Sequence, residues 1–176
     1  MITRLVQIDL LTASFRIVGQ LSVSSGGVLG VLCDPTSSFL EIHDANLARL
    51  HMATKLIEQA PFVRVVKQHV SAVCLDRRED IGPYATTRGG YARIHRYPLR
   101  ITTPVFELDG TLEWPGRFDF VAIMAEGASD FIPLFDTSLG ATLFPTFLIQ
   151  SPAVLFNRRH LNTLVQVGEG TLSPNP

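Results

Sequence analysis

The sequence predicts an all-β protein with a minor helical part, organised as two tandem small β-barrels related by internal duplication. Three observations lead there. Apolar residues make up 46% of the 176 residues and charged residues only 18%, too apolar a mix for a long disordered region. Apolar residues alternate through "SFRIVGQLSV" (14–23) and "VFELDGTLEW" (105–114), the period of a half-buried strand. Blocks of sequence also recur in the same order, and repeats set architecture.

At an offset of 91 residues, Thr12, Phe15, Gly19 and Leu21 fall on Thr103, Phe106, Gly110 and Leu112. The same offset places Pro61, Lys67 and His69 on Pro152, Arg158 and His160. Between these blocks the register shifts by one, and "FLEIHDANL" (39–47) falls on "FIPLFDTSL" (131–139), matching Asp44 to Asp136. This divides the chain into a first barrel unit at 1–76, a basic Gly/Tyr/Arg linker at 77–96, a second barrel unit at 97–167 and a tail at 168–176.

Within each unit the elements follow in order. Gly19 and Gly110 mark a strand so curved that a Cβ has no room, and Phe15 and Phe106 are expected to be buried at like places. Phe118–Ala125 reads as a short amphipathic helix stopped by Gly127, with a strand as the competing reading; the Gly-rich stretch 26–38 is less helical. Asp44 and Asp136 read as turn formers between two short strands, 39–42 and 47–50 in the first unit. "PFVRVV-KQH-VSAVCL" and "AVLF-NRR-HLNTLV" each read as two strands around a polar turn. Arg158 and Arg159 stand opposite Lys67 and Gln68, so the position asks for long polar side chains at an exposed turn. His69 and His160 fit a structural hydrogen bond at a strand start.

This order of elements resembles the Sm-like and SH3-like small barrels. More narrowly, the pattern F-x-x-x-G-x-L, then F-x-x-x-x-D-x-x-L, then V-x-x-x-x-x-H-V is similar to an uncharacterised family of bacterial small-barrel domains, here in tandem. The resemblance implies a barrel fold with Gly19 and Gly110 on the bent strand, Asp44 and Asp136 at the turn and His69 and His160 after the last turn. The second unit departs at Trp114-Pro115-Gly116, where the first has Ser24-Ser25-Gly26. Sm-like proteins often bind RNA from ring assemblies, but the basic-glycine half of their loop signature is missing from both units.

Little in the sequence points to catalysis. The five histidines show no H-x-x-x-H or H-x-H spacing, and Cys33 and Cys74 stand far apart, so no metal or other cofactor is expected. "SSGGVLG" lacks the ending of a phosphate loop, and Asp109, Glu113 and Asp119 read as a solvated face. Two cysteines fit a reducing compartment, and neither a signal peptide nor a membrane-spanning run is evident. The expected location is therefore cytoplasmic.

Charge is distributed unevenly. The linker holds five arginines against one glutamate and one aspartate, a net of +3, whereas residues 97–176 carry −4 and the whole chain −1. The reading is a non-catalytic scaffold, assembly or adaptor subunit acting through protein contacts or self-association. Its candidate interaction residues are Arg77, Arg78, Tyr84, Arg88, Tyr91, Arg93, Arg96 and Trp114, with the linker meeting the acidic second unit. The alternative is an Sm-like RNA-binding protein using the same arginines and tyrosines to hold backbone and stack bases.

Overall fold

The computed structural model describes residues 3–83, 93–125 and 129–168. Alternating apolar residues form the strands β1 (Arg4–Thr12), β2 (Phe15–Val23), β3 (Phe39–Arg49), β4 (Leu56–Val66) and β5 (Val70–Leu75). The later part of the chain adds β6 (Ile94–Thr102), β7 (Phe106–Pro115), β8 (Phe131–Ala141), β9 (Phe144–Asn157) and β10 (Thr163–Gln166). Two short helices, α1 (Gly27–Leu32) and α2 (Phe120–Met124), sit between the second and third strand of each half. Thr12 and Thr103 shape the first hairpin of each half, their hydroxyls accepting the Phe15 and Phe106 N–H at 3.0 and 2.8 Å.

All ten strands belong to one sheet, in the order β10-β6-β7-β8-β9-β5-β1-β2-β3-β4. This corrects the expectation of two tandem Sm/SH3-like barrels related by duplication. The sheet is open: it ends on β4 at one side and on β10 at the other. A closed first barrel would need β4 to come round to β5. Instead β5 pairs with β1 on one side and β9 on the other, Ala72 opposite Phe156 and Leu75 opposite Ala153. The chain is thus a single mostly antiparallel domain with minor helix.

Core sharing gives the physical reason. Units of some 70 residues are small for a self-sufficient core, and here each half completes the other. Phe131, Phe135, Ala153 and Leu155 pack into the core built on β1–β4, while Leu11, Leu50, Ala72 and Cys74 pack into the core built on β6–β9. β5 is buried along its whole length, which is what a central strand with a core on both faces requires. Burial also pushes the Cys74 thiol above its ordinary pKa.

The glycine and aspartate positions have a shared geometry. Asp44 and Asp136 adopt left-handed φ values of 47° and 48°, which Asp tolerates better than most residues. Each lies inside a continuous strand, so the expected pair of short strands about a turn is corrected to one bulged strand. Around Gly19 the register steps from Val18–Asn46 to Gln20–His43, so two residues of β3 oppose one of β2; the step from Asp109–Ser138 to Thr111–Phe135 does the same at Gly110. That pattern is a β-bulge. A Cβ on Gly19 would meet the His43 carbonyl oxygen at 2.7 Å, and one on Gly110 the Thr137 Oγ1 at 2.6 Å. The bulge brings the strands close, and glycine provides the space.

Helix α1 is six residues long in the stretch read as less helical, and α2 lies within the expected 118–125. Asp119 caps α2 by accepting the Val121 N–H at 2.9 Å; Gly127, its expected stop, lies outside the described residues. Phe106 is fully buried but Phe15 only half-buried, so the expectation of like burial is corrected for Phe15.

Candidate protein-interaction surface

The linker arginines are largely engaged within the chain. Residues Arg78–Ile81 form a 3-10 turn whose Asp80 carboxylate is buried between Arg4 and Arg77, the latter at 3.2 Å. Arg78 reaches across to Glu113 on β7 at 2.6 Å and lies 3.9 Å from the Phe135 ring centroid. Arg96, already the third residue of β6, bridges to Asp136 at 3.1 Å and approaches Glu113 at 3.8 Å. Arg78 and Arg96 thus meet acids of the second half within one molecule. Arg93 is exposed, and Trp114 is half-buried against the second core. Tyr84, Arg88 and Tyr91 lie outside the described residues.

Both polar turns, Lys67–His69 and Arg158–His160, are 3-10 turns, yet their first residues are not surface residues. Arg158 is 8% exposed, and its Nε donates to the Ser129 carbonyl at 2.8 Å. Lys67 donates from Nζ to the Asp34 carbonyl at 2.8 Å, and burial lowers its pKa. The expectation of exposed long side chains therefore holds at Arg159, which pairs with Asp130 at 2.8 Å, and is corrected at Lys67 and Arg158. Arg158→Gln is expected to lose about 1.5–3 kcal/mol, since a buried side chain gives up its charged hydrogen bond to the Ser129 carbonyl and its contact with Asp130. Arg159→Gln should stay within about 0.5 kcal/mol. Urea unfolding of the two variants separates them. His160 joins the halves, its Nε2 lying 2.8 Å from the Gln68 carbonyl and its Nδ1 3.2 Å from Ser71 Oγ. His69 is exposed beside Gln68, 3.3 Å away.

A cleft of about 420 Å³ opens beside these turns, walled by Leu32–Asp34, Lys67 and Gln68, Asp130 and Phe131, and Arg159. Its cations Lys67 and Arg159 are held by the Asp34 carbonyl and the Asp130 carboxylate. Cys33 Sγ sits 2.8 Å from Ser129 Oγ. Among the described residues no group of three or more His, Cys, Asp or Glu comes together to hold a metal ion.

The surface that stands out lies elsewhere, on β4 and the neighbouring face of β3. β4 ends the sheet and is exposed over most of its length. Leu56 keeps 53% of its surface in solvent and Phe62 48%, with Ile57, Val66 and Phe39 of β3 comparably open. Cross-strand register sets Phe39 opposite Val66, Glu41 opposite Arg64 and His43 opposite Phe62, so these side chains form one outer face. Arg64 ties it together, bridging to Glu41 at 3.1 Å and lying 5.0 Å from the Phe62 ring centroid. A long, apolar, exposed edge is what proteins usually cover. A second exposed apolar group, Phe120, Val121 and Met124, projects from α2.

Sequence reasoning missed β4 as an edge. The available signal was Pro61, because a proline inside a strand pattern points to an edge. The chain matches no family model, no curated protein and no solved structure. Together with the open sheet, this overturns the resemblance to a bacterial small-barrel family. No helix among the described residues is long and apolar enough to cross a membrane.

Proposed function

We propose that this chain is a non-catalytic assembly subunit of a cytoplasmic complex, working through protein contacts at the β3–β4 surface. The observation that carries the reading is the open edge of an eleven-residue β4 flanked by exposed Phe39, Leu56, Ile57, Phe62 and Val66. Large apolar side chains on an unpaired edge supply both backbone hydrogen-bonding groups and desolvation energy to a partner. Interaction through the linker has less support, because Arg77, Arg78 and Arg96 already pair with acids of the same chain. The same pairing weighs against nucleic acid, whose phosphates those arginines would have to hold.

Light scattering on the purified chain, read together with the 260/280 nm absorbance ratio, tests this. The expected result is a discrete protein-only oligomer at micromolar concentration. Its mass should fall towards the monomer in Ile57→Ser/Phe62→Ser at any salt concentration, because apolar contacts are not screened. A monomer at every concentration overturns the reading, and a ratio showing bound nucleic acid favours the RNA-binding alternative instead.

A further inference from the structure

We infer that the partner at this edge is a second copy of the chain, added antiparallel to β4 about a two-fold axis through Pro61; the inference rests on the assembly reading above. The direction of the β4 backbone groups comes from the end of the strand. Phe39 stands opposite Val66, so Ser38 stands opposite Lys67, and the Lys67 N–H donates to the Ser38 carbonyl at 2.9 Å. In an antiparallel ladder the residues bonded to a given neighbour alternate. Lys67, Val65 and Val63 therefore turn their N–H and C=O towards β3, while Val66, Arg64 and Phe62 turn theirs outwards. No register shift intervenes between Phe62 and Glu58, so Ala60 and Glu58 point outwards too.

Pro61 is in phase with the inward set. Its missing N–H is lost on the side of β3, opposite Asp44, the one position the β3–β4 ladder passes over between His43–Phe62 and Ala45–Ala60. The free edge keeps a full row of donors and acceptors. A proline there would ordinarily blunt an edge; this one does not.

The side chains then select a register. In β4 the order is Leu56-Ile57-Glu58-Gln59-Ala60-Pro61-Phe62-Val63-Arg64-Val65-Val66. A two-fold at Pro61 sets each Ala60 against Phe62 of the second copy and each Glu58 against its Arg64. The β4 register shifts between Glu58 and Leu56, so the matched row runs from Glu58 to Arg64 and ends before Leu56. Moving the axis by one residue sets Glu58 against Val66 or Phe62 and leaves the charges unmatched. Opposite charges facing each other across strands stabilise a pair and like charges oppose it. Glu58 makes no ion pair among the described residues, so its carboxylate is available for this contact, and the exposed Arg64 guanidinium would be shared between it and Glu41 of its own chain. A two-fold interface also closes, which prevents the edge from growing into an open fibre.

The test is charge complementation in the full chain, followed by sedimentation equilibrium. Glu58→Arg places arginine against arginine in its own dimer, and Arg64→Glu places glutamate against glutamate. Each alone is expected to raise the dimer dissociation constant by at least about tenfold. An equimolar mixture should regain the dimer mass. In the mixed dimer the two introduced side chains face each other as an arginine and a glutamate. The unchanged Arg64 of the first variant then faces the unchanged Glu58 of the second. Phe62→Pro, which removes an outward N–H and none of those bonded to β3, should abolish the dimer while its circular dichroism stays that of the parent. If the parent is oligomeric but the mixture stays monomeric, or either charge variant dimerises as tightly as the parent, the two-fold at β4 is wrong and the assembly surface lies elsewhere. If the parent is a monomer at every concentration, both the inference and the assembly reading fail.

Discussion

Gly27→Ala is expected to lower the stability of the protein by at least about 3 kcal/mol. Two causes combine. Gly27 opens α1 with a φ of 64°, a left-handed conformation that costs an L-residue about 1–2 kcal/mol. Added to this, a Cβ at Gly27 would lie 2.4 Å from both the Gly82 nitrogen and the Ile81 carbonyl oxygen. Both are main-chain atoms that no rotamer change can move. The contact is reciprocal, since Gly82, at φ 87°, would place its own Cβ 2.2 Å from the Gly26 oxygen. α1 is therefore seated backbone to backbone on the turn that follows β5, and Ile81 fills the core beneath it. Gly116 supplies the control, with φ 74° and nothing within 4 Å of its missing Cβ. Gly116→Ala should thus carry the conformational cost alone, about 1 kcal/mol. Urea midpoints at constant slope measure the difference. Equal losses at the two glycines would show that the α1–turn contact contributes nothing.

Local geometry was legible in the sequence, and long-range closure was not. Gly19 and Gly110 announce a strand that must bend, because glycine carries that information within a few residues, whereas Asp44 and Asp136 read as turn formers and stand instead as left-handed residues inside bulged strands. Whether β4 comes round to β5 depends on which surfaces the finished cores leave open. That was decided by Phe131, Phe135, Ala153 and Leu155 entering the first core from the other half of the chain, a pairing no strand pattern encodes. The burial of Arg158 was hidden for a similar reason, since its acceptor is the backbone of Ser129, which no residue type advertises. The linker's positive charge was plain, but its partners Glu113 and Asp136 are brought to it by β7 and β8. The interaction surface was half visible. "PFVRVV" reads as a strand and Pro61 hints at an edge, while the exposure of Phe62 follows only once β3 is known to be the one strand beside β4 among the described residues.

Phe106 and Phe15 show how far a matched sequence position can diverge in energy. Both begin the second strand of their half and both follow a threonine-shaped hairpin. Phe106 is fully buried, its ring 6.4 Å from that of Phe147 on β9. β9 starts at Phe144 and runs for fourteen residues, long enough to bring Phe147 over the second core. β4 starts at Leu56, whose side chain remains in solvent, and leaves Phe15 half-buried beside the first core. Deleting a fully buried ring removes its transfer free energy and leaves a cavity in rigid surroundings, so Phe106→Ala should cost about 3–5 kcal/mol. Phe15→Ala removes a smaller buried area next to solvent, where a void does not persist, and should cost roughly 1–2 kcal/mol. Chemical denaturation of both variants is the check, with Phe106→Leu as a partial filling of the same site. That variant should recover more than half of the loss, because most of the cavity volume is restored. A Phe15 variant as unstable as Phe106→Ala would mean that the first core closes over its hairpin as tightly as the second.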